Sequence, residues 1–336
     1  TWNPGPGATA GNDVFTGDGE SVVDDGLAGD DTLSGGHGND HLTGGTGNDS
    51  LAGDDGDDTL LGGDGNDVLL GESAFSAVSR GNDLLFGGSG SDILFGGVGV
   101  DTLSGEDGDD QLFQMGGRAG AYGSFGVEVA VVDYGADVMD GGSGFDRAFW
   151  NFAHSSTALA FSLGSTSSIS AFTLGGAFAG SVTGIEAITI TGSSGDDTLT
   201  GGDFDDLLNG GDGSDTLDGG GGNDIFFSGA TGRDILVGGG GNDHFFVQNA
   251  STSIIELATG GSSDRLTVLY SASLIDMALF PHVEIAQYQF DGPITMLANA
   301  GGNTLDGWTG ADTLIGSASF DILAVSYTHL AGDSQM

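Results

Sequence analysis

Apolar residues return every nine positions along much of this chain, each standing two places after an aspartate. The first clean run reads GLAGDDTLS (26–34), GGHGNDHLT (35–43), GGTGNDSLA (44–52), GDDGDDTLL (53–61) and GGDGNDVLL (62–70). It sets Asp31, Asp40, Asp49, Asp58 and Asp67 against Leu33, Leu42, Leu51, Leu60 and Leu69. The stretch x-apolar-x reads as a short strand with one inward side chain, and the six residues GGxGxD before it as a turn. Two nonapeptides then make one coil of 18 residues, and turns 18 apart stack on one edge, about 4.8 Å from each other, the spacing of paired strands. Asp31, Asp49 and Asp67 fall on one edge, Asp40 and Asp58 on the other, and the leucines close a thin core from opposite strands. The pattern predicts an all-β fold, a parallel β-roll or β-solenoid, with strand-rich non-repeat insertions.

The clock comes in blocks. Asp13 belongs to GNDVFTG (11–17), and one degenerate coil separates it from the main run. A seven-residue insertion near Ala74–Arg80 interrupts the period, which resumes through Asp83, Asp92, Asp101 and Asp110. Residues 114–133 form a Gly/Ala-rich insertion, and Asp137 and Asp146 a short block beyond it. Asp197, Asp206, Asp215, Asp224, Asp234 and Asp243 form the next block, with one extra residue between Asp224 and Asp234. In the last, Asn303 stands where an aspartate is expected, followed by Asp312 and Asp321.

Two stretches, 147–193 and 247–300, lack the clock but alternate apolar with polar or small residues, as in GIEAITIT (184–191) and VEIAQYQF (283–290). They read as strands, either in larger solenoid coils without metal turns or in a small inserted β-sandwich. Only SLIDMALF (273–280) reads as a short helix. The expected organisation is a first roll over 1–113, an insertion and strand-rich segment over 114–193, and a second roll over 194–246. A strand-rich segment over 247–300, a short repeat block over 301–325 and an atypical tail over 326–336 follow. Proline is nearly absent from the repeats, as a hydrogen-bonded ladder requires.

Composition turns this geometry into a charge problem. Of 336 residues, 68 are glycine, and 49 acids face five arginines and no lysine, for a net charge of −44. Glycine raises the entropic cost of folding, and the charge adds self-repulsion. Stacked aspartates repel unless a cation lies between them, and calcium accepts six to eight oxygens in forgiving geometry. Glycine lets each turn adopt positive φ and aim its carbonyls at the ion. Zinc is disfavoured, because there is no cysteine and the histidines are scattered. The expected ligands are all the aspartates named above. Pairs 18 apart run 13–31, 31–49, 40–58, 49–67, 83–101, 92–110, 197–215 and 206–224; the pairs 215–234 and 224–243 join them if the extra residue loops out. One ion per stacked pair implies roughly eight to ten calcium ions, offsetting about half of the net charge, with folding coupled to binding.

The nonapeptides GGxGxDx-apolar-x resemble the RTX (repeats-in-toxin) family over about half of the chain, and GIEAITITGSSGDDTLTGG (184–202) resembles the segment that leads into repeats in many bacterial RTX proteins. The resemblance implies a calcium-bound β-roll. It also implies type I export on an uncleaved C-terminal signal, disorder in low cytosolic calcium, and folding outside the cell at an extracellular or bacterial surface. FDILAV (320–325) suits the end of such a chain, whereas SYTHLAGDSQM (326–336) continues no pattern.

No HExxH or GxSxG motif occurs, so no catalytic residue is assigned. His37 and His41 are expected to be solvated, Phe149, Trp150 and Phe152 to be core, and Phe226, Phe227, Phe245 and Phe246 to fill or cap a wider part of the roll. The acidity excludes direct nucleic-acid or anionic-membrane partners, and no apolar run approaches the ~18 residues of a membrane span. No signal-peptide pattern opens the chain, and the start at Thr1 reads as a processed or trimmed product. The expected function is a secreted, non-enzymatic, calcium-binding structural protein. It would self-associate head-to-tail as a surface-layer, matrix or filament subunit, with a cell-surface polysaccharide as a further candidate partner. The alternative is a repeat module of a larger type I-secreted enzyme or adhesin.

Overall fold

The computed structural model describes residues 9–17, 19, 21–72, 81–113, 137–153, 155–164, 170–257 and 260–324. The chain forms two compact units, Thr1–Ser155 with Ala160–Ile190, and Ser156–Leu159 with Thr191–Met336.

In the first unit the chain alternates between two parallel sheets. One runs through Thr32–His37, Ser50–Asp55, Val68–Leu70, Ile93–Phe95, Gln111–Phe113 and Arg147–Asn151. The other runs through His41–Thr46, Thr59–Asp64, Leu84–Ser89, Thr102–Asp107, Asp137–Ser143 and Ala177–Thr183. The leucine two places after each aspartate stacks on its equivalent in the next coil. Leu33, Leu51, Leu69, Leu94 and Leu112 form one file, and Leu42, Leu60, Leu85 and Leu103 the other. None of them is more than 2% exposed. Each of these nonapeptides thus supplies one fully buried leucine, a contribution of about 1.5–3 kcal/mol apiece. The strands outlast the predicted three residues where the two turn glycines continue the pairing, as in Gly45↔Gly63.

The ladder passes straight over the insertions. Leu60 pairs with Leu85 and Leu103 with Met139 although the intervening segments are longer than a coil. The insertion at 114–133 lies outside the described residues, as does the tail 326–336. In 147–190 the expected strands form, and they include an antiparallel hairpin. Ser170–Leu174 pairs with Ala177–Thr183 through Gly175 and Gly176, both at positive φ (60° and 79°), the geometry of a two-residue hairpin turn. Trp150, Phe152, Phe161 and Phe172 pack beneath it, with ring centroids 5.5–6.3 Å apart. Trp150 and Phe152 are core, as expected, but Phe149 lies on the outer face, stacked on Phe113 at 4.2 Å.

In the second unit one parallel sheet runs through Leu207–Asn209, Ile225–Phe227, His244–Val247, Arg265–Val268, Ile285–Tyr288, Thr304–Asp306 and Ile322–Ala324. A second contains Thr216–Gly221, Ile235–Gly240 and Ser253–Ile255, and a third Leu274–Asp276, Thr295–Leu297 and Thr313–Ile315. The segment 247–300 is therefore built of larger solenoid coils, not a sandwich. SLIDMALF is not a helix: Leu274–Asp276 is a strand paired to Thr295–Leu297, and only Met277–Leu279 turns, as a 3₁₀ segment capped by Asp276. The sheet edge takes the first half of a segment too short to propagate a helix. Phe226 and Phe245 fill the core, stacked at 5.0 Å, while Phe227 and Phe246 stack outside at 4.7 Å, so only the inner pair has the expected place. No helix among the described residues is long and apolar enough to cross a membrane.

Candidate metal centre

Most repeat aspartates are fixed by a backbone amide of the preceding coil on their own edge. The amide of Asp31 donates to Asp49 Oδ1 at 2.7 Å, that of Asp40 to Asp58 at 2.7 Å and that of Asp49 to Asp67 at 2.7 Å. The same bond links Asp13 to Asp31, Asp83 to Asp101, Asp92 to Asp110, Asp197 to Asp215 and Asp206 to Asp224. Asp215–Asp234 (3.2 Å) and Asp224–Asp243 (2.8 Å) complete the pairs 19 apart, with the extra residue accommodated. Four steps are invisible in the spacing: Asp58–Asp83 and Asp67–Asp92 span 25 residues, Asp101–Asp137 and Asp110–Asp146 span 36. Asp312 accepts from Ile294 N at 3.1 Å and Asp321 from Asn303 N at 2.8 Å.

In many of these carboxylates one oxygen is thereby used and the other is left, whereas Oδ2 of Asp197, Asp206, Asp234 and Asp321 accepts from Ser193, Gly202, Asn249 and Ser317 respectively. Oδ2 of Asp31, Asp40, Asp49, Asp58, Asp67, Asp83, Asp92, Asp110, Asp146, Asp215 and Asp224 is buried with no hydrogen-bond donor on it. It folds back over the glycine five residues earlier. A Cβ on Gly26, Gly44 or Gly62 would strike Oδ2 of Asp31, Asp49 or Asp67 respectively. The same Cβ would also meet the carbonyl oxygen of the equivalent glycine in the next coil, as at Gly26 and Gly44 O, 2.7 Å. Carboxylate and carbonyl oxygens therefore converge on a space that only glycine leaves open, a donor set of oxygen alone and so suited to a hard cation. A second polar ladder holds the turns in register. Asp30 N donates to Asn12 Oδ1 (3.0 Å), Asn48 N to Asp30 (2.9 Å) and Asn66 N to Asn48 (2.8 Å), so the residue just before each repeat aspartate also has a structural role.

Burial dominates the acidity of these groups. Desolvation pushes Asp58, Asp92, Asp146 and Asp215 up to about 7 and Asp83 and Asp224 up to about 8, against the backbone amide that holds each charge down; neighbouring carboxylates add to the rise. A buried carboxylate in this state requires either a proton or a cation.

Several ladder members escape the nonapeptide pattern. Glu186 Oε2 accepts from Asp146 N (2.8 Å), Asp264 Oδ1 from Asp243 N (2.8 Å), and Glu284 Oε2 from Asp264 N (3.0 Å). Each stands two places before a buried apolar residue, Ile188, Leu266 or Ala286, so the acid-x-apolar triplet survives where the glycines do not. Glu72 accepts from Val98 N (2.7 Å) and Gly81 N (3.2 Å), and burial beside Asp83 and Asp101 pushes it up to about 9. Asn303 keeps the aspartate's place differently: its Oδ1 accepts from Asn299 N (2.6 Å) and its Nδ2 donates to Val283 O (3.0 Å). Of the histidines, exposed His37 faces Asp55 (2.5 Å), whereas half-buried His244 bonds Thr267 Oγ1 (2.8 Å), and burial pushes it down to about 4.

The profile of the RTX calcium-binding nonapeptide repeat (4 copies) matches residues 25–51, 43–73, 79–112, 122–148, 191–226, 226–247 and 295–323, more than half of the chain. The chain belongs to the RTX calcium-binding repeat family. No curated protein matches it. The matched RTX segments contain the repeat aspartates from Asp31 to Asp321, while Glu186, Asp264 and Glu284 lie outside them. The RTX turns of this chain fit their ion on the two observations above, the donorless Oδ2 and the glycine cradle. A calcium ion held there would supply positive charge between stacked carboxylates on a chain with 49 acids and five arginines.

Proposed function

We propose that this RTX chain is a secreted, non-enzymatic structural protein that folds on meeting calcium outside the cell and assembles head-to-tail into a surface layer, matrix or filament. The observation that carries the reading is the file of buried carboxylate oxygens without donors, on a chain with 49 acids and five arginines. Such a file cannot be charged and compact together without cations, so the metal belongs to the fold itself. On one ion per stacked pair of turns, the chain takes up roughly eight to ten calcium ions.

Two strands that pair on one side only among the described residues support the assembly. Among the described residues, Val14–Thr16 is hydrogen-bonded only to Thr32–His37, and Val14 is 82% exposed. Ile322–Ala324 is hydrogen-bonded only to Thr304–Asp306, beside Phe320 at 89% exposed. Open strand edges with apolar side chains template further pairing, and a heterologous contact that does not close makes a filament. Electron microscopy of the protein in millimolar calcium, then after EGTA, tests this. Ordered filaments or sheets that dissolve on chelation are expected. Dispersed monomers that merely unfold on chelation would overturn the assembly and leave a folding and secretion module of a larger protein.

A further inference from the structure

The coil at 238–264 carries an acid where the nonapeptide turns carry a glycine. Ser253–Ile255 pairs in parallel with Ile235–Val237, which sets Glu256 beside Gly238, the first glycine of its own turn. At a nonapeptide turn a side chain there would collide with the aspartate five residues on. Here the next ladder acid, Asp264, follows eight residues later, and the longer turn admits the glutamate.

Glu256 reaches toward the neighbouring turn. A Cβ on Gly238 would strike Glu256 Oε2 and would meet Asp243 Oδ2 at 2.5 Å, and one on Gly260 would strike Glu256 Oε1. Asp243, Glu256 and Asp264 each present a carboxylate oxygen within 4.8 Å of the others. All three side chains are buried: Glu256 is 8% exposed, Asp243 1% and Asp264 0%. In each, one oxygen accepts a backbone amide, from Leu257, Asp224 and Asp243 respectively. The other oxygen has no donor on it. Three donorless, buried carboxylate oxygens in one small space are an arrangement that repels itself strongly unless a cation joins them.

We infer that Asp243, Glu256 and Asp264 form a tricarboxylate calcium site distinct in composition from the paired-aspartate turns, with its third acid contributed from the opposite sheet. The inference rests on the calcium reading of the repeats. Three oxygens within 4.8 Å of one another can all reach one calcium ion at 2.3–2.6 Å, and a donor set of carboxylate oxygen alone suits a hard cation. Calcium affinity rises with ligand charge, so this site belongs to the tightest class on the chain. The ion closes a turn in which Glu256 stands in place of the first nonapeptide glycine.

Equilibrium dialysis of the full chain against radioactive calcium, alongside far-UV circular dichroism across free calcium, compares the wild type with Glu256→Gln. The variant is expected to hold one ion fewer, lost from the tightest class, and to need more free calcium to fold. An unchanged ion count, with a variant as stable or more stable than the wild type, would overturn the site, because relief of repulsion would then be all that Glu256 contributes. A wild type that binds no calcium at all would instead sink the calcium reading of the whole chain. Should Glu256→Gln fail to fold in saturating calcium, anomalous diffraction from calcium-loaded wild-type crystals decides. A calcium peak among the three carboxylates upholds the site, and its absence there, with peaks at the nonapeptide turns, removes it.

Discussion

At the scale of the residue, glycine and aspartate within one turn are a single device. The aspartate five places on occupies the space where the glycine's Cβ would be, so conformational freedom is only part of the reason for glycine. Gly44 has no positive φ among the turn glycines that do, yet a Cβ on it would strike Asp49 Oδ2 and meet the Gly62 carbonyl at 2.7 Å. Gly44→Ala is expected to destabilise the calcium-loaded protein by about 1–3 kcal/mol, as overpacking does, and to raise the calcium midpoint of folding followed by circular dichroism. Gly240→Ala is the control, since the nearest atoms stand 3.9 and 4.0 Å from its Cβ and its φ is ordinary, and it should leave the midpoint in place. Equal effects from both would mean that backbone entropy, not the carboxylate, selects glycine. Asn303 shows the converse: with an amide in the aspartate's place, both ends of the side chain find protein partners.

At the scale of the element, a file of stacked turns behaves as one titrating unit. Burial holds Asp58, Asp92 and Asp215 near 7 and Asp83 and Asp224 near 8, against 3.8 for an unfolded aspartate. The folded, metal-free file therefore binds more protons than the unfolded chain through this window. The stability it gains from protons is fully present below pH 3.8 and is lost as pH rises through 7 to 8. In EGTA the chain should thus gain β-structure between about pH 8 and pH 5, while the calcium needed for folding should rise over the same interval as protons compete for the carboxylates. Circular dichroism at the two pH values, with and without chelator, checks both signs. A metal-free chain more ordered at pH 8 than at pH 5 would contradict the burial of these groups.

At the scale of the whole molecule, a net charge of −44 expands the metal-free chain, but the decisive repulsion is local and buried. Monovalent salt screens exposed charges over a Debye length of about 3 Å at 1 M and reaches buried pairs much less. Sodium chloride near 1 M should therefore fail to restore the structure that a few millimolar calcium restores, as read by hydrodynamic radius and circular dichroism. Full recovery in sodium chloride alone would reduce calcium to a general counter-ion.

A nine-residue spacing in the chain determines by itself that leucines face inward in two files and that aspartates stack on two edges, because covalent geometry repeats with the sequence. Most of the ladder, from Asp31 to Asp67 and from Asp197 to Asp243, is legible in this way. Only the tertiary structure joins Asp58 to Asp83 and Asp101 to Asp137, since pairing across an insertion is set by which strands meet and not by the number of residues between them. Only the structure places Glu186 and Glu284 on the ladder, and brings Glu256 to Asp243 and Asp264, since a contact between opposite sheets leaves no period in the sequence. The local rule is written residue by residue, whereas the exceptions to it are made by chains that fold back at unequal lengths and still meet in register.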